Sequence, residues 1–237
     1  MPLSEPVTTP ADPRRGRRKE ARPGELLDAA LELFVERGFA ATRVDDVALA
    51  AGVSKGTLFL YFPTKEALFQ AVVRHNISGR FAEWDAEFAA FDGSTADMVR
   101  HCMQSWWERI GATRASGITK LLMGEARNFP ELTAFYQHEV VRPGQALIRR
   151  VLERGVARGE FRIADLDYAV FAVVAPMVFL IMSRHSLGAC APADQPLDAA
   201  RFIAVQAEIV TRGLAAEPAA PPAAARPGPA RRPARAP

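Results

Sequence analysis

The chain has 237 residues, 49% of them hydrophobic and 24% charged, with a formal net charge of +3. That length suits one medium domain or two small ones, and the apolar share is enough for a core, which excludes a wholly disordered chain. The excess of base is too small to argue for nucleic acid by itself, so charge placement has to carry that question.

In chain order, residues 1–21 are rich in Pro, Arg and Thr and read as a disordered arm, basic at Arg14, Arg15, Arg17, Arg18 and Lys19. They lack the apolar core of a signal peptide, so a cytoplasmic protein is expected. A helix is expected from Gly24 to Arg37, with Leu27, Ala30, Leu31, Phe34 and Val35 on one face, ended by Gly38. Thr42 can cap a short helix, with Asp45 completing a partial capping box. Val44, Val47 and Ala48 supply that helix's inner face. Ala51-Gly52-Val53 makes a tight turn, where Gly52 permits the left-handed conformation. Ser54 can cap a second short helix that exposes Lys55, Gly56 and Thr57 and turns Leu58 and Phe62 inward. This is the punctuation of a helix-turn-helix, whose second helix enters the major groove N-terminus first. Thr64 can cap the next helix, carried by Leu68, Phe69, Val72 and Val73 towards Ala90.

Ala51-Gly52-Val53-Ser54-Lys55-Gly56-Thr57-Leu58-Phe59-Leu60-Tyr61-Phe62-Pro63-Thr64-Lys65-Glu66-Ala67-Leu68 resembles the signature of the TetR family of bacterial transcriptional regulators. With the preceding helix the likeness spans residues 24–72. Phe59 departs from it where many members carry Tyr, so that hydroxyl's role is not carried over. The resemblance implies DNA contacts at Thr42, Lys55, Gly56, Thr57, Tyr61 and Lys65. The chemistry suits this. Lys55, Lys65 and helix N-termini can meet phosphates. Gly56 lets the backbone approach, Thr57 can reach base edges, and Tyr61 can offer its hydroxyl. Arg43 adds a cation near the backbone, and exposed Leu60 can touch a thymine methyl or a sugar. Taken singly, each has a plainer reading: a cap for Thr42, solvated lysines for Lys55 and Lys65, a poor helix residue for Gly56. Their joint spacing on one surface favours DNA.

After the turn Asp92-Gly93-Ser94, helices are expected near 95–110, 115–128 and 130–158, the last kinked at Pro143 and Gly144. An apolar helix follows from Asp165 to Ser186, then a loop at 188–196, a last helix at 197–214, and an Ala/Pro/Arg tail at 215–237. The apolar run Tyr168–Met182 has about 15 residues against the roughly 20 needed to span a bilayer, so it reads as a buried helix, with no membrane partner. Phe202/Ile203 and Ile209/Val210 repeat at seven residues, close to a bundle seam. The TetR resemblance implies a four-helix homodimer interface from the last two helices, with Phe179, Phe202, Ile203, Ile209 and Val210 as candidates. It also implies an effector pocket among the middle helices, with Met103, Trp107, Leu122, Glu125, Phe135 and Phe171 as candidates. For Glu125 a salt bridge to a nearby Arg is the plainer role. Residues 118–158 are similar to the regulators grouped with AcrR, which implies an apolar or amphipathic effector.

The expected architecture is all-α. An arm (1–21) precedes a three-helix helix-turn-helix DNA-binding domain (22–80), a larger effector-binding and dimerisation domain (81–214) and a tail (215–237). The domain boundary falls between Arg74 and Asp92. The expected function is a repressor on a palindromic double-stranded DNA operator, released by a small effector, with the helix after the recognition helix as the lever. An activator or architectural DNA-binding protein without an effector is the alternative. An enzyme is disfavoured: His75, His101, His138 and His185 are scattered, and no HExxH, GxSxG or P-loop is present. Neither cofactor nor metal is expected. Cys102 and Cys190 fall in no CxxC or Cys/His spacing and read as buried, reduced thiols.

Overall fold

The computed structural model describes the backbone of residues 14–186 and 197–216, and side chains from Pro23. Eleven α-helices are described: α1 (Arg14–Ala41), α2 (Val44–Ala50), α3 (Lys55–Tyr61), α4 (Lys65–Asn76), α5 (Phe81–Ala89), α6 (Thr95–Trp106), α7 (Ser116–Glu125), α8 (Pro130–Tyr136), α9 (Arg142–Ala157), α10 (Leu166–His185) and α11 (Ala199–Leu214). No strand occurs among the described residues, and one isolated bridge pairs Phe161 with Ala215. The all-α reading holds. Helix α1 is described from Arg14, inside the stretch expected to be a disordered arm. Residues 1–13, the 188–196 loop with Cys190, and the tail beyond 216 lie outside the described residues.

Two cores divide the chain. The first gathers Leu26, Ala30, Phe34, Phe39, Val47, Leu58, Leu68, Phe69, Val72 and Val73 from α1–α4 and continues into Ile118, Leu122, Leu132 and Tyr136. Phe34, Phe39 and Phe69 meet ring to ring at 5.3–5.6 Å. The second holds Met98, Val99, Cys102, Met103, Val151, Leu152, Val170, Val173, Met177, Leu180, Ile203 and Val210. The helix-turn-helix unit is therefore seated on α7 and α8 through shared apolar packing, which fixes its orientation.

Three expected helices are interrupted. The helix after the recognition helix stops at Asn76, passes through a 3₁₀ turn at Ser78–Arg80, and resumes as α5. The 130–158 helix is broken by a π turn at Gln137–Val141 rather than kinked at Pro143. Pro143 has no N–H for the carbonyl four residues back, and a wider turn there absorbs the missing bond. A second π turn, Trp107–Gly111, follows α6. Helix α10 is longer than the apolar run suggested: it has 20 residues, an 18-residue stretch of which has a mean hydropathy of 2.0, enough by length and composition alone to cross a membrane. In the fold, its Val170, Val173, Met177 and Leu180 are buried against the second core.

Candidate functional site

The turn between α2 and α3 is built as its residues dictate. Gly52 has φ 65°, a left-handed conformation costly for other residues. Ser54 Oγ accepts from Thr57 N–H at 3.1 Å and caps α3. Leu58 is fully buried and anchors the helix, while Leu60 is 86% exposed on the opposite side. Lys55, Gly56 and Tyr61 are exposed and Thr57 is half-buried. Thr57 Oγ1 lies 2.9 Å from Ser54 Oγ, and Lys55 Nζ pairs with Asp45 Oδ1 at 2.9 Å. Both groups of that pair are more than half exposed, so a phosphate can compete for the lysine at little cost. Arg43 is exposed at the start of α2. Lys55, Gly56 and Thr57 thus open the first turn of α3 and Leu60 and Tyr61 close its last, while Arg43 stands at the start of α2; all but the half-buried Thr57 are exposed.

Two expected DNA contacts have other work. Thr42 is 1% exposed, and its hydroxyl donates to the carbonyls of Gly38 (2.7 Å) and Leu33 (3.0 Å). The N-cap of α2 is Arg43, without a side-chain cap bond, so Thr42 closes the end of α1 instead of starting α2. Lys65 Nζ donates to the carbonyls of Phe39 (2.7 Å), Thr42 (3.0 Å) and Ala40 (3.3 Å), and sits 4.4 Å from the centre of the Phe39 ring. An ammonium has three donors, and all three are spent on the end of α1. Burial holds its pKa below the usual lysine value, with Glu66 and Glu125 opposing.

The reason for this arrangement is Gly38. At φ 85° it breaks α1 and leaves carbonyls without helical partners. Lys65 and Thr42 satisfy them from one side. From the other, Glu125 Oε1 accepts the Phe39 N–H at 3.1 Å and lies 2.6 Å from where a Cβ on residue 38 would stand. Glu125, expected as a pocket anchor or an Arg partner, instead ties the end of α7 to the DNA-reading unit. Sequence spacing gave no sign of it, because the pair is 86 residues apart.

In the second half, a cavity of about 180 Å³ lies among α4–α10. Ile77, Trp84, Met103, Ser105, Trp106, Thr119, Tyr136, Gln145, Val174 and Met177 are among its lining residues. Of the expected pocket residues, only Met103 lines it. Its neighbour Trp106 takes the place expected of Trp107, one position round the helix. Leu122 and Phe135 pack with the first core, Glu125 is at the α1 corner, and Phe171 is 50% exposed on the outside of α10. Thr119 Oγ1 and Tyr136 Oη share a 2.7 Å hydrogen bond, and burial pushes the phenol up to about 12. Burial also pushes the thiol of Cys102, another lining residue, up, so it stays neutral.

Helices α10 and α11 expose large apolar side chains, with Tyr168, Phe171, Phe179, Val205 and Ile209 between 46% and 73% exposed. Phe179 and Phe202 rings meet at 5.7 Å. Ile203 and Val210, expected in the subunit seam, are buried in the chain's own core at 5% and 8% exposure. The seven-residue repeat therefore marks two faces of α11: Phe202 and Ile209 outward, Ile203 and Val210 inward.

Comparison with known proteins agrees with this geometry. Residues 26–72 match the family described as bacterial regulatory proteins, tetR family, and residues 92–200 match the tetracyclin repressor-like C-terminal domain. The HTH-type transcriptional repressor KstR2 of Rhodococcus jostii is 32% identical over 159 residues, covering 67% of this chain and 75% of that protein. The HTH-type transcriptional activator FasR of Mycolicibacterium smegmatis is 44% identical over 66 residues, 27% of this chain and 30% of FasR. The structure of the transcriptional regulator FadR from Bacillus subtilis in complex with stearoyl-CoA shares the fold, with a TM-score of 0.59 at 18% identity over 81% of this chain and 98% of that one. A helix-turn-helix with its α3 surface open, seated on a hollow helical domain, and these matches along both halves place the chain in the TetR family of DNA-binding transcriptional regulators.

Proposed function

We propose that this protein is a homodimeric repressor that holds a palindromic operator and releases it when a small apolar or amphipathic effector fills the cavity. The observation that carries this is the cavity's position. Ile77, which caps the C-terminus of α4, lines it, and the N-terminus of α4 holds the α1 corner through Lys65. One helix thus touches both sites. A second link runs through the π turn: Val140 and Val141 line the cavity, and neighbouring Glu139 accepts two hydrogen bonds from Arg74 of α4 at 3.1 and 3.3 Å. An effector that favours one arrangement of α4 changes the separation of two recognition helices in a dimer. KstR2 is named a repressor and FadR was solved with stearoyl-CoA, whose acyl chain is apolar.

Arg43, Lys55, Gly56, Thr57, Leu60 and Tyr61 are the proposed DNA contacts. Phe179, Phe202 and Ile209, with Tyr168 and Phe171, form the proposed dimer face. The named activity of FasR, 44% identical over 66 residues, supports activation as the second reading. Transcription from an operator-bearing template in vitro, with and without the protein, separates the two. Repression relieved by effector supports the first, and stimulation the second.

A further inference from the structure

The helix-turn-helix unit is short of positive charge. From Pro23 to Asn76 it holds five Lys or Arg residues against seven Asp or Glu, a net charge of −2. Most of those five cations are engaged within the chain. Lys55 pairs with Asp45 and Arg37 with Asp46, each at 2.9 Å, and Arg74 pairs with Glu139 at 3.1 Å. Lys65 is spent on the carbonyls at the end of α1. Among the described residues, Arg43 alone of the five meets neither an acid nor a carbonyl. A duplex carries about one negative charge per 1.7 Å of its axis, and neutralising that charge supplies most of the sequence-independent affinity. The exposed residues of α3 can read bases, but the unit around them attracts a polyanion weakly.

The missing charge stands directly before the unit. Residues 14–22 hold six bases and one acid, a net charge of +5. They precede the stretch 26–72 that matches the family. Their backbone is the first part of α1, and it stays helical through Pro23, which has no N–H for the Lys19 carbonyl. Arg15, Arg18, Lys19 and Arg22 recur at the i, i+3, i+4, i+7 spacing, so one face of the helix carries four of the six bases. Leu26 and Leu33 continue the same line of α1, and both are buried in the core that holds Leu58 of the recognition helix. The stripe that is apolar inside the unit is therefore cationic ahead of it. Like charges at these spacings repel, so this stretch of helix gains from a polyanion laid against it. At 1.5 Å per residue it extends about 13 Å beyond Pro23, the span of roughly eight phosphate charges on a duplex.

We propose that residues 14–22 are a DNA-backbone arm, whose Arg15, Arg18, Lys19 and Arg22 face binds duplex phosphates beside the half-site read by α3. The arm supplies most of the charge neutralisation and none of the sequence choice.

The test uses the full chain and a duplex selected from random DNA, with affinity measured over a range of salt concentrations. In the arm variant Arg15, Arg18, Lys19 and Arg22 become Gln. In a control Arg127, Arg142, Arg162 and Arg184, all exposed and outside the DNA-reading unit, become Gln, which removes the same charge. The arm variant is expected to bind at least about tenfold more weakly at roughly 0.1 M salt, with a salt slope lower by about two to four per half-site. Its footprint covers the same sequence, because phosphate contacts carry no sequence information. The control stays within about threefold of the natural chain. A third variant with Arg15, Arg18 and Arg22 changed to Lys also stays within about threefold, because a phosphate accepts either cation. An unchanged slope in the arm variant, an equal loss in the control, a loss in the Lys variant or a shifted footprint overturns the proposal. A natural chain that binds no duplex removes the operator reading along with the arm. A natural chain that binds, matched by the arm variant, removes the arm alone.

Discussion

Two lysines in the same motif, ten residues apart in sequence, have opposite fates. Lys55 is exposed and held only by Asp45, so Lys55→Ala changes stability by less than about 0.5 kcal/mol. If it meets a phosphate, its loss weakens operator binding and lowers the salt dependence by about one ion per half-site. Lys65 satisfies three carbonyls at the end of α1. Lys65→Met therefore costs about 1–3 kcal/mol in chemical denaturation before any DNA is added. Thr42→Val, which keeps the shape and removes the hydroxyl, costs about 1–2 kcal/mol in the same experiment. A stability loss for Lys55→Ala with none for Lys65→Met would reverse these assignments. The motif made all of these positions visible, but not which would face DNA. The apolar anchors Leu58 and Phe69 and the caps Ser54 and Thr64 follow from local spacing, and all stand where expected. Thr42, Lys65 and Glu125 converge on a corner that exists only after α1, α4 and α7 pack, and local spacing carries no trace of it.

At the scale of elements, α11 separates two kinds of apolar residue that alternate in its sequence. Ile209 is 57% exposed and Val210 8%. Ile209→Glu is predicted to leave the helical circular dichroism and melting cooperativity intact while sedimentation shifts from dimer to monomer. Val210→Glu buries a charge in the chain's own core and is predicted to destabilise the fold by several kcal/mol. A dimeric Ile209→Glu protein would place the interface elsewhere. The helices themselves were legible because amphipathic spacing is strong over long runs. Their interruptions were less so. The π turn at Gln137–Val141 comes from a missing donor at Pro143, and the break at Ser78–Arg80 separates two stretches that both look helical. Of the residues expected in a pocket, Met103 lines the cavity and the others do not. Inward and outward faces of a helix in a layered fold depend on which neighbours cover it, and Phe171 faces out only because α10 has one side free.

Across the whole molecule, the DNA-reading unit and the hollow domain are joined at the C-terminal end of α4, through Ile77 and Arg74, and through Glu125 of α7. His185 Nε2 at the end of α10 lies 2.8 Å from Ser116 Oγ at the start of α7, which ties the apolar α10 to the same helix. Burial, helped by Arg184 and Lys120, lowers the His185 pKa from its ordinary 6.5. A depressed histidine pKa means that the unfolded chain takes up the proton first, so stability is retained above about pH 6.5 and falls as pH drops towards the lower folded value. Denaturation midpoints measured from pH 8 down to 5 should fall through that window in the native chain and fall less in His185→Gln. The central claim is that the exposed α3 surface of a dimer reads two half-sites. Its most direct test is a footprint of the full chain on duplexes selected from random DNA at physiological salt with excess competitor. The account predicts two protected half-sites related by a twofold axis, with centres about one helical turn, or a whole multiple of it, apart, and loss of protection in Lys55→Ala. A single protected half-site, or equal protection of every sequence, would contradict it.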